Sequence, residues 1–382
     1  MTDTYTEISR NSYPARILGG CLGAVVCFFI MIVLFFLFVV LEHIHKERGN
    51  ATEELKRKLV SISSSEFSGN NNGKTVLLHG ELKSPDTVTD PVTGAAFSCL
   101  KLERNVEMYQ WEEERTTDED VELGGSSTST TTWKYNKVWC DEPINSGTFR
   151  HKKYRNPSHF PLDSLSFSAK SAEMGVFEVD GSFLENAGTE SVQLKQIPGK
   201  IVQQYGKRVH LTTGGGLYIG LNPAKPAIGD IRVTYKAAPL GLYSIAGVQN
   251  SRKIIPYKAA NSVQLALIQK GNAGKAQFIK SEKERQANSS WIMRLSFFIF
   301  YWVLFVFILY PFAVISDFIP ILGQLNRLTN ILLSLALAVI MSLVFIAAGR
   351  YFYRPVMKVG MAAGKKVITY IFNDMEDESN SE

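Results

Sequence analysis

The stretch "CLKLERNVEMYQWEEE", Cys99 to Glu114, alternates with a period of two, the pattern of a half-buried strand. Leu100, Leu102, Val106 and Met108 share one face, and Lys101, Glu103 and Asn105 begin the other. A solvent-facing row should stay polar to its end, yet this one runs into Tyr109 and Trp111. Two large aromatics there need a cover: a second layer of the same domain, a neighbouring protomer, or the headgroup level of a membrane.

Around this strand the texture is β. "KTVLLHGEL", from Lys74, reads as a strand whose glycine suggests a bulge or bend. "SPDTVTDPVTG" is turn chemistry, with Pro fixing φ and Asp capping. "RTTDEDVELGGSSTSTT", Arg115 to Thr131, reads as an exposed hairpin tip or a disordered loop, and "TWKYNKVW" begins the next strand. A second β run starts at Met174. "KRVHLTTGGGLYIG" is a hairpin around three glycines. In "GDIRVTYKAAP", Ile231, Val233 and Tyr235 face one way, and Arg232, Thr234 and Lys236 the other. The order short strand, turn, long alternating strand thus occurs twice. It suggests a duplicated β unit, although residue identity between the copies is slight.

Three uncharged apolar runs frame this region: Ile17 to Leu41, Leu295 to Ile315 and Leu328 to Gly349. Each exceeds the roughly 18–20 residues that a helix needs to cross a ~30 Å hydrocarbon core. The first is longer than a signal-peptide core of roughly 7–15 residues, and "VVLEHIHKE" after it lacks a small-residue cleavage site. It reads as an uncleaved anchor. The chain is therefore an α+β integral membrane protein, with a β-rich extramembrane domain between an N-terminal transmembrane helix and a C-terminal helix cluster. The expected order is a polar tail (1–16), first span (17–41), amphipathic stalk (42–73), first β unit (74–172), and second β unit with a helical return (173–290). A second span (291–316), a short loop or re-entrant segment (317–327) and a third span (328–350) follow. Residues 351–372 carry Lys358, Lys365 and Lys366 and read as an amphipathic or possible fourth membrane helix, before an acidic tail (373–382).

The net charge of +5 is too small and too dispersed for nucleic-acid binding. Cys21 and Cys27 lie within the first span; Cys99 and Cys140 have no zinc-site spacing, and a disulfide between them requires an oxidising compartment. There is no GxSxG, HExxH or phosphate loop. His151 and His159, in a basic loop, lack a third ligand that would announce a metal. No cofactor is implied, and no activated nucleophile points to an enzyme.

"VEMYQWEEE", "WKYNKVWCDEPINSGTFRHKKYRNPSHFP" and "GDIRVTY", in this order between an N-terminal span and a C-terminal membrane cluster, resemble the transmembrane protein 43 family, also called LUMA. "VLLHGELKSPDTVTDPVTGAAFSCLKLERNVE" is also similar to the beside-a-membrane domain of MULAN-type mitochondrial ubiquitin ligases, without their ring of Cys/His pairs. The resemblance implies a self-associating membrane scaffold. In animals it implies the endoplasmic reticulum and inner nuclear membrane, a lumenal β domain, and links to emerin and lamins; bacterial relatives imply an inner (plasma) membrane. The alternative is a lipid- or ion-handling, channel- or transporter-like membrane oligomer. The spans offer it only scattered polar residues such as Asn330 and Ser334.

The family's topology meets a conflict at the flanks. Lys46, Arg48, Lys56, Arg57 and Lys58 outweigh Arg10 and Arg16, which by the positive-inside rule places the domain in the cytosol. Large domains translocate largely regardless of charge, so the lumenal or extracytoplasmic placement is kept. Asn50 and Asn288 begin glycosylation sequons compatible with a lumen. Membrane lipids are expected partners: the five basic residues above, with Lys280, Lys283 and Arg285, could meet anionic headgroups or serve as solubilising flanks. Tyr109 and Trp111 remain candidates for an oligomer or membrane contact.

Overall fold

The computed structural model describes residues 3–318, 320–359 and 361. They form two compact units. The first comprises residues 1–7, 51–116 and 131–282, the second 8–50, 117–130 and 283–382.

The first unit is built on two sheets. In the eight-stranded one, the long strand Cys99–Val121 lies between its hairpin partner Ser127–Cys140 and the strand Ile231–Pro239. Beyond the hairpin partner lies an N-terminal strand, Asp3–Asn11; beyond Ile231–Pro239 come Leu217–Ile219 and Val209–Leu211, the glycine hairpin. The antiparallel register sets Leu102 opposite Ala237, Val106 opposite Val233 and Met108 opposite Ile231. The two alternating faces read from the sequence therefore fall on one side of one sheet, where all six of these side chains are buried.

In the second sheet Thr75–Lys83 and Gly241–Asn250 pair antiparallel from Leu82↔Gly241 to Thr75↔Val248. Ala172–Met174, Phe177–Val179 and Lys253–Ile255 link these two strands on their other sides, closing five strands into a small barrel. Residues of both sheets, among them Val76, Leu78, Leu100, Val233 and Ile245, form one core. The stretches 74–172 and 173–290 each give strands to both sheets, so they build that core together. Gly80 makes no bulge: the ladder runs through Gly80↔Tyr243 unbroken. A Cβ there would stand 2.7 Å from the Ser64 hydroxyl, so the glycine supplies room rather than a bend.

The first span and the expected stalk as far as Lys58 are one helix, Tyr13–Lys58, and the rest of the stalk leaves it for a short strand, Val60–Ser61, paired with Val76 and Leu77. The helix's last turns bury Ala51 and Leu55, with Leu59 just beyond them, against Leu77, Ala246 and Leu265 of the first unit. The polar tail is structured too, since Asp3–Asn11 is the edge strand just described. Of the two readings of Arg115 to Thr131, the hairpin tip holds, with strand structure to Val121 and again from Ser127.

In the second unit the first helix joins Lys275–Ser316 and Pro320–Tyr351. All three helices are long and apolar enough to cross a membrane. Phe38, Tyr301, Phe305, Ala338 and Phe345 interlock between them, while Leu22, Phe29, Ile292, Phe300 and Leu343 point outward. Outward apolar side chains are the expectation for surfaces solvated by lipid. The loop expected at 317–327 reduces to a turn at Asp317 and Phe318 before the third helix. Residues 353–359 are helical. Of 351–372, residues 360 and 362–372, together with the acidic stretch 373–382, lie outside the described residues.

Candidate functional site

Each uncharged run is bracketed by charged residues: Arg16 and Glu42, Arg294 and Asp317, Arg327 and Arg350. The second unit gathers these six into two clusters. At the start of the first helix, Arg16 donates to Asp317 at 2.6 Å, to Glu119 at 2.9 Å and to the Gly125 carbonyl at 2.6 Å. Arg327 also donates to Asp317, at 2.8 Å. Arg16 and Asp317 are buried, and two cations meet two anions, so the cluster is charge-balanced. The Tyr13 hydroxyl donates to the Ile315 carbonyl, tying the first helix to the end of the second. Gly125 holds the hairpin turn at φ +82°, and any Cβ there would collide with the Tyr13 ring.

The second cluster centres on Glu42, which is fully buried. Arg294 grips its carboxylate with two nitrogens and Arg350 adds a third bond at 2.6 Å. Lys46 donates to the Arg350 carbonyl. Gly349 lets the helices close here, since its Cβ position lies 2.7 Å from that of Glu42 and 3.1 Å from the Val39 carbonyl. Arg16 and Glu42 are separated by about 39 Å along the helix at about 1.5 Å per residue. That spacing brackets a ~30 Å hydrocarbon core. Between the clusters Asn330 donates to the Val306 carbonyl, joining the third helix to the second, and accepts from Ser334 one turn along its own helix.

Tyr109 and Trp111 are both half-buried, and the cover comes from their own chain. Tyr109 packs on Trp139 at 5.1 Å; Trp111 meets Tyr154 edge-on at 4.8 Å, with Lys137 over its ring. The Asn156 side chain accepts from the Trp111 amide at 2.7 Å and donates to its carbonyl at 2.8 Å, acting as a one-residue substitute for a neighbouring strand. His151 packs against Tyr5 with ring centres 3.9 Å apart and the planes tilted by 34°, and His159 bonds Ser158.

Lys46, Arg48 and Asn50 lie on the first helix, with Lys56, Arg57 and Lys58 in its last turn. Lys280, Lys283, Arg285 and Asn288 lie on the second helix. Both sequons are therefore helical rather than in loops. Lys58 pairs with Glu54 at 2.7 Å. All four cysteines are free, and burial pushes the Cys99 thiol up to about 11.

Arg104 escaped the sequence reading. It stands on the apolar face of the long strand, buried, and donates to Asp90 at 2.6 Å. Asp90 also accepts from Thr93, the Val92 amide and Tyr235. Burial alone would raise its pKa; the bonds from Thr93, Val92 and Arg104 outweigh that and hold it below the usual carboxylate range. The missed signal was a charge at an even-numbered position within an apolar even-numbered row.

The sequence model of the family described as transmembrane protein 43 matches residues 108–355. The mouse and human transmembrane protein 43 are each 25% identical over 300 residues, covering 75% of this chain and 72% of theirs. A Drosophila melanogaster transmembrane protein 43 homolog is 26% identical over 227 residues, 58% of each chain. No solved structure matches. The matched region runs from Met108 in the long strand through the second and third helices to just beyond Tyr351, and the chain is a member of the transmembrane protein 43 family.

Proposed function

We propose that the protein is a non-enzymatic, self-associating membrane scaffold that organises protein or lipid assemblies. The observation that supports this most is the use of the charged residues bordering the spans. Six of them are committed to clamping three helices together, which makes a rigid anchor for a folded domain rather than a reactive centre. In a nucleated cell the proposed location is the endoplasmic reticulum and inner nuclear membrane, with the β domain in the lumen. The proposed partners are membrane lipids, further copies of the chain, emerin and lamins.

Mass photometry of the full chain in nanodiscs and cross-linking in native membranes test self-association; a monomer in both rejects it. A glycosylation acceptor placed in the exposed loop at Leu221 should be modified in microsomes. An acceptor there that stays bare while the same acceptor in a known lumenal loop is modified rejects the lumenal placement.

A further inference from the structure

The two clusters of the second unit are unequal in charge. Around Arg16 two cations meet two anions. Around Glu42 one carboxylate meets Arg294, Arg350 and Lys46. Arg294 already takes both oxygens of that carboxylate, and its guanidinium lies over the Trp291 ring. Arg350 gives only its Nε to Glu42; its Nη atoms make no hydrogen bond among the described residues, and its side chain is partly exposed. Lys46 reaches the Arg350 carbonyl and the face of the Tyr351 ring, neither of which carries a charge. Among the described residues no second carboxylate is bonded to either cation. The cluster therefore holds two positive charges in excess, at the end of an apolar run where an unmet charge is unfavourable.

The surplus continues past the third helix. The Phe352 amide donates to the Ala348 carbonyl and the Val356 amide to the Phe352 carbonyl, so the four-residue register runs on into the helical residues 353–359. At about 100° per residue, Arg350, Arg354 and Lys358 share one arc of about 80°. Arg354 and Lys358 are exposed. The next arc is apolar, with Tyr351, Phe352 and Val359 exposed on it. A basic arc beside an exposed apolar one is the pattern of a helix at the headgroup level. The His43 ring lies flat on Tyr353 at 3.7 Å, which holds this segment against the first helix, and its Nδ1 is buried with no hydrogen-bond partner among the described residues. Arg48, Lys280, Lys283 and Arg285, read from the sequence as lipid contacts, already have partners within the chain.

We propose that an anionic phospholipid seats its phosphate on Arg350, Lys46 and Arg354, with its acyl chains along the apolar arc that begins at Tyr351. A guanidinium meets phosphate through a fork of parallel N–H donors, which the Nη atoms of Arg350 leave open. Arg354 stands one turn further on, about 6 Å along the axis. Basic pockets between membrane helices hold phospholipid headgroups by this chemistry. A zwitterionic lipid brings its own cation and leaves the surplus in place, so the site selects lipid of net negative charge. The bound lipid supplies the missing counter-charge and ties the first helix to the third.

The proposal rests on the scaffold reading for lipid as a partner, and gives that partner a chemistry and a seat. Full-length chain in neutral detergent is titrated with phosphatidylglycerol, phosphatidylcholine or water-soluble glycerol phosphate, and the bound molecules are counted by native mass spectrometry. Phosphatidylglycerol should bind at least tenfold more tightly than phosphatidylcholine; equal binding overturns the site. Glycerol phosphate bound as tightly as phosphatidylglycerol assigns the site to a free phosphate and overturns the lipid. A basic side chain beside an anionic surface changes binding by about fivefold, so Lys46→Gln with Arg354→Gln should abolish the preference. Neither residue bonds Glu42, so the clamp stays whole in that variant. Lys56→Gln with Arg57→Gln removes the same charge from exposed positions outside the cluster and should leave the preference intact. A preference kept by the first pair, or lost with the second, overturns the assignment. A preference that appears only in a chain ending at Asn373 gives the site to the acidic stretch instead, and overturns the lipid. Mass photometry on the same samples reads self-association separately: oligomers without a lipid preference overturn the site alone, and a preference shown by monomers overturns self-association alone.

Discussion

At Trp111 the ring is half-buried between Tyr154 and Lys137, and the opening puzzle of an aromatic on a polar face is answered by the chain's own loop. An edge-on aromatic pair contributes about 0.5–1.5 kcal/mol beyond area burial, and an exposed cation–π contact about 0.5–1 kcal/mol. Trp111→Ala should therefore cost about 1–2.5 kcal/mol, less than the roughly 3–5 kcal/mol of a fully buried aromatic. Lys101→Ala, in the polar part of the same row, should cost under about 1 kcal/mol. Thermal unfolding of both variants in one detergent checks the ranking. Asp90 makes a second residue-scale prediction. Its pKa is depressed in the fold, so its stabilisation is present above the ordinary carboxylate value of 3.8 and is lost as pH falls below it. The melting temperature should fall steeply below about pH 4. Asp90→Asn should lower stability at pH 7 by about 3–5 kcal/mol, because buried Arg104 loses its partner, and should flatten the acid limb. An unchanged acid limb in that variant would show that other carboxylates dominate.

At the scale of elements, the strands and spans were legible and their neighbours were not. Period-two alternation in Leu100 to Met108 and in Ile231 to Tyr235 marked the buried rows correctly, because burial on one face leaves a local trace. Nothing local says that those rows pair with each other, or that Asp3–Asn11, exposed along most of its length, is a strand. The Arg16–Asp317 and Glu42–Arg350 bonds join residues 301 and 308 apart; only the habit of charges to bracket the apolar runs foreshadows them. Asn156 is likewise invisible in sequence, yet it closes the edge of the long strand where Ile231–Pro239 leaves off. Asn156→Ala removes the bonds to both Trp111 backbone groups and should cost about 1–3 kcal/mol. Hydrogen exchange should show the Trp111 amide opening first, and protection there equal to wild type would refute the capping role.

At the scale of the molecule, the span cluster depends on Glu42. With the carboxylate removed, Arg294 and Arg350 face each other without a counter-charge, and breaking one side of a buried pair costs about 3–5 kcal/mol. Glu42→Ala should lower the temperature of detergent-induced unfolding and expose the span helices to protease. Glu42→Gln, which keeps one acceptor oxygen for the two guanidinium groups but no charge, should fall between Ala and wild type. Equal stability of all three would mean that the apolar packing of Phe38, Tyr301 and Phe345 suffices alone. The Arg16 cluster has a further consequence, in time. Asp317 is made 301 residues after Arg16, and synthesis at about 5–20 residues per second separates them by roughly 15–60 seconds. For that interval Arg16 has Glu119 but lacks its most buried counter-ion, and a nascent chain stalled before Asp317 holds the cluster incomplete. Completion of the Arg16 cluster therefore waits for the end of the second helix, late in synthesis.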